Sequence, residues 1–123
     1  MTTDDILNID CRKEENKNKL NRFLYNVKPI QKKMGNDKTK KIPLTVLENV
    51  LHGICIKYGY RTQGFMPVYL EDENDKTKKV FWAYSVSVMD ENKSWKGMVY
   101  GKTLWEAVAK VIIKIYSEIK NGE

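Results

Sequence analysis

The chain has 123 residues, of which 41% are hydrophobic and 31% are charged. This length and hydrophobic fraction predict a single domain that buries about two-thirds of its unfolded surface. The formal net charge is +6, but residues 12–41 alone hold eleven Lys or Arg against three Asp or Glu. The segregated charge indicates either attraction to phosphate groups or a solvated, lysine-rich surface.

Neither end of the chain shows the pattern of a signal peptide, a membrane span or a lipid anchor. The two cysteines, Cys11 and Cys55, are far apart and lack CxxC spacing. Isolated thiols are typical of proteins in reducing compartments, and Cys55 is expected to be a small buried hydrophobe. These features favour a cytoplasmic protein that makes no contact with membranes.

The first 30 residues predict an N-terminal helical appendage. Residues 1–9 are expected to fray, with docking of Ile6, Leu7 and Ile9 on the remainder of the chain as the alternative. Asp10 is expected to cap a helix that runs to about residue 27. Pro29 should end this helix, because the residue before a proline avoids the helical region. The apolar side chains at helical spacing lie in its second half: Leu20, Phe23, Leu24 and Val27.

Residues 31–42 predict a basic linker between this appendage and the compact part of the chain. The stretch contains a Gly-Asn-Asp turn signal, and Met34 is its main large apolar residue. Its lysines are Lys32, Lys33, Lys38, Lys40 and Lys41. Such a composition is typical of a mobile, solvated segment.

Residues 43–120 predict a compact α-β-β-β-α domain. Pro43 suits the first turn of a helix, and Gly59 suits a left-handed residue at its end. Three strands follow, joined by short polar turns, at residues 65–70, 80–89 and 95–100. The fold class is therefore α+β, with a three-stranded antiparallel sheet and flanking helices.

The second strand alternates between two expected faces. One face should carry Trp82, Tyr84, Val86 and Val88. The other should carry Phe81, Ala83, Ser85 and Ser87. The small and polar second face suits solvent or a closely approaching backbone.

The last helix is the best marked element of the sequence. Thr103 and Glu106 have the spacing of a capping box, in which the carboxylate reaches back to the cap amide. Its apolar face is too wide for one sheet to cover, so another helix or a partner protein must cover the remainder. The residues considered for such a partner contact are Trp105, Ile113 and Tyr116.

Four stretches of the compact part resemble the double-stranded RNA-binding domain. They are PLTVLENVLHGICIKYG, MPVY, FWAYSVSV and GMVYGKTLWEAVAK, which are similar to that family's first helix, its P-x-Y strand, its alternating second strand and the start of its last helix. The resemblance covers residues 43–119 and implies an α-β-β-β-α fold. It also implies binding of double-stranded RNA through three surfaces that reach successive minor grooves.

Taken residue by residue, the resemblance assigns few of the family's contacts to this chain. Glu48 matches the polar position of the first helix, the loop at 75–79 stands in place of the G-P-x-H loop, and Lys102 matches the lysine before the last helix. The apolar pair at 104–105 replaces the paired lysines of the phosphate clamp, and Lys110 lies near the position of the next family lysine. A shared topology without the RNA function is therefore the alternative.

The short, Lys- and Asn-rich chain, with its N-terminal stretch NIDCRKEENK, is also similar to small uncharacterised proteins of phages and mobile elements of gut bacteria. This resemblance implies a role in nucleic-acid transactions or interference with a host protein. It does not distinguish between these two roles.

The sequence contains no recognisable catalytic or metal-binding pattern. His52 is the only histidine and lacks an evident acid partner or fellow ligands. The acidic residues at 71–75 lack EF-hand spacing and precede three lysines, which favours a solvated hairpin tip. Walker, nucleophile-elbow and H-E-x-x-H motifs are missing. We therefore expect no enzyme, no cofactor and no metal.

Two functions remain open. The first is a non-enzymatic nucleic-acid-binding module, in which the basic N-terminal segment and the Lys-rich β-turn contact the phosphates of double-stranded nucleic acid. The candidate residues are Lys38, Lys40, Lys41, Glu48, Lys76, Lys78, Lys79, Lys102 and Lys110. The alternative is a protein-interaction or homodimerisation module of the phage or mobile-element type, which uses the C-terminal helix and has no nucleic-acid role.

Overall fold

The computed structural model describes the backbone of residues 2–122 and their side chains, apart from those of residues 64, 121 and 122. The elements, in chain order, are α1 (Thr3–Leu7), α2 (Glu14–Leu24), α3 (Lys28–Met34), α4 (Leu44–Tyr58), β1 (Arg61–Glu71), β2 (Lys79–Met89), β3 (Trp95–Gly101) and α5 (Leu104–Gly122). The α+β class predicted from the sequence is confirmed. None of the helices within residues 2–122 combines the length and apolar character needed to cross a bilayer.

The strands form one antiparallel sheet in the order β1-β2-β3. Cross-strand partners lie on the same side of a sheet, and successive rows of partners alternate between its two sides. One row consists of Phe65, Val86 and Val99, and the next consists of Met66, Ser85 and Tyr100. The first row lies on the side that faces α5, called the core face. The second lies on the opposite side, called the open face, which carries Met66, Val68, Ala83, Ser85, Ser87, Met98 and Tyr100.

A β-bulge at Trp82 changes the faces of the second strand. The register of β1 against β2 passes from Ala83 directly to Phe81, so Trp82 is the extra residue. The bulge brings the ring of Phe81 to 5.0 Å from that of Tyr84, and it brings the ring of Trp82 to 5.0 Å from that of Tyr100. The predicted faces of Trp82 and Phe81 are therefore wrong, because one inserted residue reverses strict alternation.

The helix α5 packs on the core face through close backbone approaches. A β-carbon at Gly97 would lie 3.1 Å from Ile115, and one at Gly101 would overlap the backbone of Ala107. The valines of this face, Val86, Val88 and Val99, are buried. Glycine at 101 is therefore a packing requirement, since any side chain would push the helix off the sheet.

The N-terminal segment differs from its prediction. It forms α1 instead of fraying, because Thr2 and Asp5 make a capping box and Ile6 is completely buried. Asp10 does not cap α2, which begins four residues later. Its carboxylate instead forms an ion pair with Arg12 at 2.7 Å, and the hydrogen bonds from Arg12 lower the pKa of Asp10 to about 2.

Pro29 lies in the first turn of α3, although the sequence predicted that it would end the helix before it. A proline is tolerated in the first turn because its missing N–H would have no helical partner there. The predicted linker at 31–42 is therefore shorter than expected. Its first four residues are helical, and its last residue, Ile42, is completely buried.

One hydrophobic core joins the five helices to the sheet. The N-terminal segment contributes completely buried side chains to it: Ile6, Leu20, Leu24 and Ile30. The helices α1, α2 and α4 all contact α5, which also contacts β2 and β3. The remainder of the apolar face of α5, for which the sequence allowed a helix or a partner protein, is thus covered by helices of the same chain.

Candidate functional site

The predicted nucleic-acid-binding lysines lie in separate places. Lys38, Lys40 and Lys41 are exposed in the loop before α4. This loop is fastened to α2, because the carbonyl oxygen of Lys40 accepts hydrogen bonds from the Asn21 amide at 2.9 Å and from the Tyr25 hydroxyl at 2.8 Å. The backbone of the loop is therefore fixed while its lysine side chains face solvent.

A second group, Lys76, Lys78 and Lys79, is exposed in the turn between β1 and β2. The carboxylate of Asp75 organises this turn by accepting hydrogen bonds from the backbone N–H and the hydroxyl of Thr77, at 3.0 and 2.6 Å. These hydrogen bonds lower the pKa of Asp75, so its carboxylate stays charged beside the lysines. The turn is therefore a tip of mixed charge.

Lys102 and Lys110 are already engaged within the chain. The ammonium of Lys102 donates to the carbonyl oxygen of Trp82 at 2.6 Å and lies 5.1 Å from the centre of its ring. Lys110 is 5% exposed, and its ammonium donates to the carbonyl oxygen of Ile9 at 2.8 Å and to Glu106 at 3.3 Å. The structure therefore removes Lys110 from the candidate phosphate contacts, because its charge is buried and paired.

The predicted partner contacts of α5 also pack within the chain. Ile113 is buried, and the indole N–H of Trp105 donates to the carbonyl oxygen of Ile42 at 2.8 Å. Tyr116 is half-buried and lines a groove between α3, α4 and α5. Glu48 is exposed on α4 and borders a different cavity. The C-terminal helix is therefore an internal element and not the uncovered partner surface that the sequence suggested.

Five lysines converge on one groove between α3, α4 and α5, called here the lysine groove. It has a volume of about 510 Å³. The lysines that line it are Lys28, Lys32, Lys33, Lys57 and Lys120. All five are exposed, and none forms an ion pair with another residue of the described part of the chain.

Helix ends explain how these lysines come together. The last turns of three helices carry four of the five: Lys32 and Lys33 in α3, Lys57 in α4 and Lys120 in α5, whereas Lys28 is the first residue of α3. Cationic side chains are favoured in a last turn, because the C-terminal end of a helix carries a partial negative charge. Since the three ends meet at one groove, separate local preferences produce one shared cationic surface.

The charged residues that line the groove in the described part of the chain are all of one sign. Among the described residues, no Asp or Glu lines it. Lys120 also borders a neighbouring cavity of about 410 Å³, which has Asp4 on its wall. Five ammonium groups, with no carboxylate among the lining residues that the structure describes, create a positive potential that attracts anionic ligands with several charges.

The interior of the groove is apolar and aromatic. Its lining includes Val50, Ile54, Ile119, Tyr58 and Tyr116. The ammonium of Lys57 lies 5.4 Å from the ring centre of Tyr58, and that of Lys120 lies 5.6 Å from the ring centre of Tyr116. Each tyrosine ring therefore has a cationic group beside it. This arrangement suits a ligand that combines flat, apolar groups with anionic ones.

Sequence reasoning identified the basic segment but missed the groove. Lys28, Lys32 and Lys33 belong to residues 12–41, yet the segment that bears two of them was expected to be a linker. Lys57 and Lys120 carried no signal of their own, because a lysine in the last turn of a helix is common. The available signal was that several lysines occupy helix ends, but only the packing of the helices brings those ends together.

The open face of the sheet is a second uncovered surface. Its large side chains are exposed, including Met66, Met98 and Tyr100, and Trp82 extends the same surface. Between them lie small side chains, Ala83, Ser85 and Ser87. An apolar surface of this kind is typical of sites where proteins associate.

No protein-family model, curated protein or solved structure matches the chain. Across residues 2–122, no group of three or more His, Cys, Asp or Glu side chains is placed to hold a metal ion. In the described part of the chain, the lysine groove and the open face are the two surfaces best suited to a ligand or a partner.

Proposed function

We propose that the protein is a non-enzymatic nucleic-acid-binding module whose lysine groove holds the phosphate backbone. One observation carries the proposal: five exposed lysines line a single groove that no described acidic residue lines. Nucleic acids are polyanions surrounded by counterions. Each ammonium group that contacts a phosphate releases counterions, so each contact strengthens binding by an amount that falls as the salt concentration rises. In this proposal the basic N-terminal segment acts through Lys28, Lys32 and Lys33.

The groove is separate from the surfaces that the resemblance to the double-stranded RNA-binding domain implies. That resemblance points to the start of α5, where Lys102 lies, and to the turn with Lys76, Lys78 and Lys79. The lysine groove lies instead at the C-terminal ends of α4 and α5. Contacts by the turn and the family resemblance stay predictions beside the present proposal.

The test is fluorescence anisotropy with labelled RNA and DNA oligonucleotides at two salt concentrations. Five contacts to single-strand phosphates predict an affinity loss of roughly 100-fold between about 50 and 200 mM salt. The variant Lys32→Gln/Lys57→Gln/Lys120→Gln should weaken binding and lower the slope of log affinity against log salt by about two. All three side chains are exposed, so the fold should survive the change.

A matched control is the variant Lys13→Gln/Lys19→Gln/Lys93→Gln, which removes the same charge from exposed positions outside both the groove and the turn between β1 and β2. It should bind more tightly than the groove variant. Equal weakening by both variants would mean that affinity follows net charge, and the groove would lose its assigned role. Poly-glutamate that competes as well as nucleic acid would also contradict the proposal, because it would indicate an acidic protein ligand.

A second candidate function is homodimerisation through the open face. The observation that favours it is the row of exposed apolar side chains, Met66, Met98 and Tyr100, which no other element of the described chain covers. A second copy is the occupant proposed, because the exposed side chains at the centre of the face carry no charge, while Arg61, in the row of Met89, and Lys102, against the ring of Trp82, lie at its ends. Two copies can therefore meet at that centre without repulsion between like charges, in the two-fold arrangement commonest among oligomers.

Light scattering over a wide range of protein concentrations tests this candidate. A dimer mass that becomes monomeric in the variant Met66→Lys supports it, because the ammonium would be forced into the apolar contact. Lys93→Met, in the exposed turn before β3, is the control and should leave the mass unchanged. A monomer at every concentration would rule out the homodimer.

A further inference from the structure

We infer that the lysine groove selects single-stranded nucleic acid, holding a base against its aromatic interior and phosphates at its lysine rim. The inference rests on the proposed function, since it specifies the ligand of the same site. It follows from three features of the groove: its size, the position of its tyrosines and the glycine in its wall.

The size of the groove suits exposed nucleotides. A volume of about 510 Å³ lies within the range of ~300–1,000 Å³ found for small-molecule sites. In a duplex the bases are stacked in the interior, so only the backbone can enter the lysine groove. A single strand can place a base inside such a cavity while its backbone follows the rim.

Tyr116 provides the surface on which a base can stack, because the ring of Tyr58 is already stacked on that of Tyr60 with their centres 6.0 Å apart. Tyr58 and Tyr116 both line the groove, each with a lysine ammonium within 5.6 Å of its ring centre. Proteins that bind single strands without sequence preference combine these same parts, a positively charged groove and aromatic side chains. The lysines alone would attract any polyanion, whereas the ring of Tyr116 favours one whose bases are exposed.

Gly53 is the third feature, because it leaves the wall of the groove open. It lies inside α4, where glycine is less favourable than alanine. A β-carbon there would meet no atom within 4 Å, and the residue lies outside the left-handed region that calls for glycine. Neither packing nor backbone conformation within the chain therefore requires glycine. What its missing side chain provides is space in the groove for a ligand.

The experiment compares four labelled probes of equal length by fluorescence anisotropy: a single-stranded RNA, a single-stranded DNA, a duplex and an abasic single strand. The full-length chain should bind the two base-containing single strands more tightly than the duplex. The abasic strand keeps the phosphates and loses the bases, so its affinity should fall by about 10- to 100-fold, the value of one stacked base.

The variant Gly53→Leu fills the groove without changing its charge. It should reduce binding of the base-containing single strands and leave the affinity for the abasic strand unchanged. His52→Leu places the same side chain one residue earlier, on the wall of a different cavity, and should bind like the unmodified protein. Circular dichroism of both variants checks that the fold is retained.

Each outcome decides between the two claims. A duplex bound as tightly as the single strand, an abasic strand bound equally well, or normal binding by Gly53→Leu would overturn the inference about single strands. The proposed function would survive those results as long as the lysine variants still weaken binding. If no probe binds even at low salt, both claims fail together.

Discussion

Glu106 and Lys110 show how a single ion pair ties the N-terminal segment to the last helix. One carboxylate oxygen of Glu106 accepts hydrogen bonds from the backbone N–H of Cys11 at 3.2 Å and from the Lys110 ammonium at 3.3 Å. The other accepts from the backbone N–H of Lys102. Lys110 in turn donates to the carbonyl oxygen of Ile9. The pair thus satisfies backbone groups of two segments that are distant in the sequence.

We expect Lys110→Met to lower the free energy of unfolding by about 3–5 kcal/mol, because it leaves the buried carboxylate of Glu106 without its counter-charge. The double variant Glu106→Gln/Lys110→Met keeps an oxygen acceptor for the backbone N–H groups and removes both charges. It should therefore be more stable than Lys110→Met alone. Urea unfolding measures the free energy of unfolding of the double variant and of each single variant. If the loss in the double variant equals the sum of the losses in the two single variants, the two charges are not coupled.

Cys11 provides a pH-dependent signal at the same place. Burial, with a contribution from the Glu106 charge, raises its pKa from 9.0 to about 12. The folded protein therefore favours the neutral thiol. The contribution of the Cys11 thiol to the free energy of unfolding is present below pH 9 and is lost as the pH rises from 9 toward 12. We expect Cys11→Ala to reduce the fall in unfolding free energy measured above pH 9. An unchanged profile would mean that the thiol ionises equally in both states.

The capping box shows what residue patterns can and cannot predict. Thr103 was expected to accept a hydrogen bond at the start of α5, and its hydroxyl does accept one from the N–H of Glu106 at 3.2 Å. The carboxylate of Glu106 was expected to return to the cap amide but binds Lys102 and Cys11 instead. Local spacing predicted the first bond, whereas the second depends on a segment 95 residues away.

At the scale of elements, two glycines predict opposite effects of the same substitution. Gly53→Ala should raise the free energy of unfolding by about 1 kcal/mol, because alanine is the better helix former and its β-carbon meets no atom within 4 Å. Gly101→Ala should lower it by about 1–3 kcal/mol, because its β-carbon would overlap the backbone of Ala107. Urea unfolding of both variants checks the contrast. Equal effects would mean that the sheet and α5 adjust freely.

The elements with strong periodicity were predictable from the sequence. The strands β2 and β3 and the helices α4 and α5 lie close to their expected bounds, because each carries a clear apolar period. The bulge at Trp82 was not predictable, because the sequence of one strand does not show where its pairing with the neighbouring strand skips a residue. The short helices α1 and α3 were missed for another reason: each is stabilised mainly by burial of one isoleucine, Ile6 or Ile30, and a single apolar residue gives no period.

At the scale of the whole molecule, the candidate site depends on tertiary packing more than on any motif. The sequence indicated a basic segment, but the lysine groove needs the ends of α3, α4 and α5 to meet. The same packing that buries the N-terminal helices creates the groove, because α3 forms one of its walls. A function that acts through this groove therefore requires the N-terminal segment to be folded on the remainder of the chain.

That dependence predicts one cooperative unfolding transition for the entire chain. Ile30 is completely buried in the shared core, so Ile30→Ala should lower the free energy of unfolding by about 2–5 kcal/mol. The change should move the transitions seen by far-ultraviolet circular dichroism and by tryptophan fluorescence together, because both report on one core. Ile56→Ala is the matched control, since Ile56 is 69% exposed on α4 and its loss should change little. A separate early transition in Ile30→Ala would mean that the N-terminal helices unfold by themselves and that the groove can open without loss of the sheet.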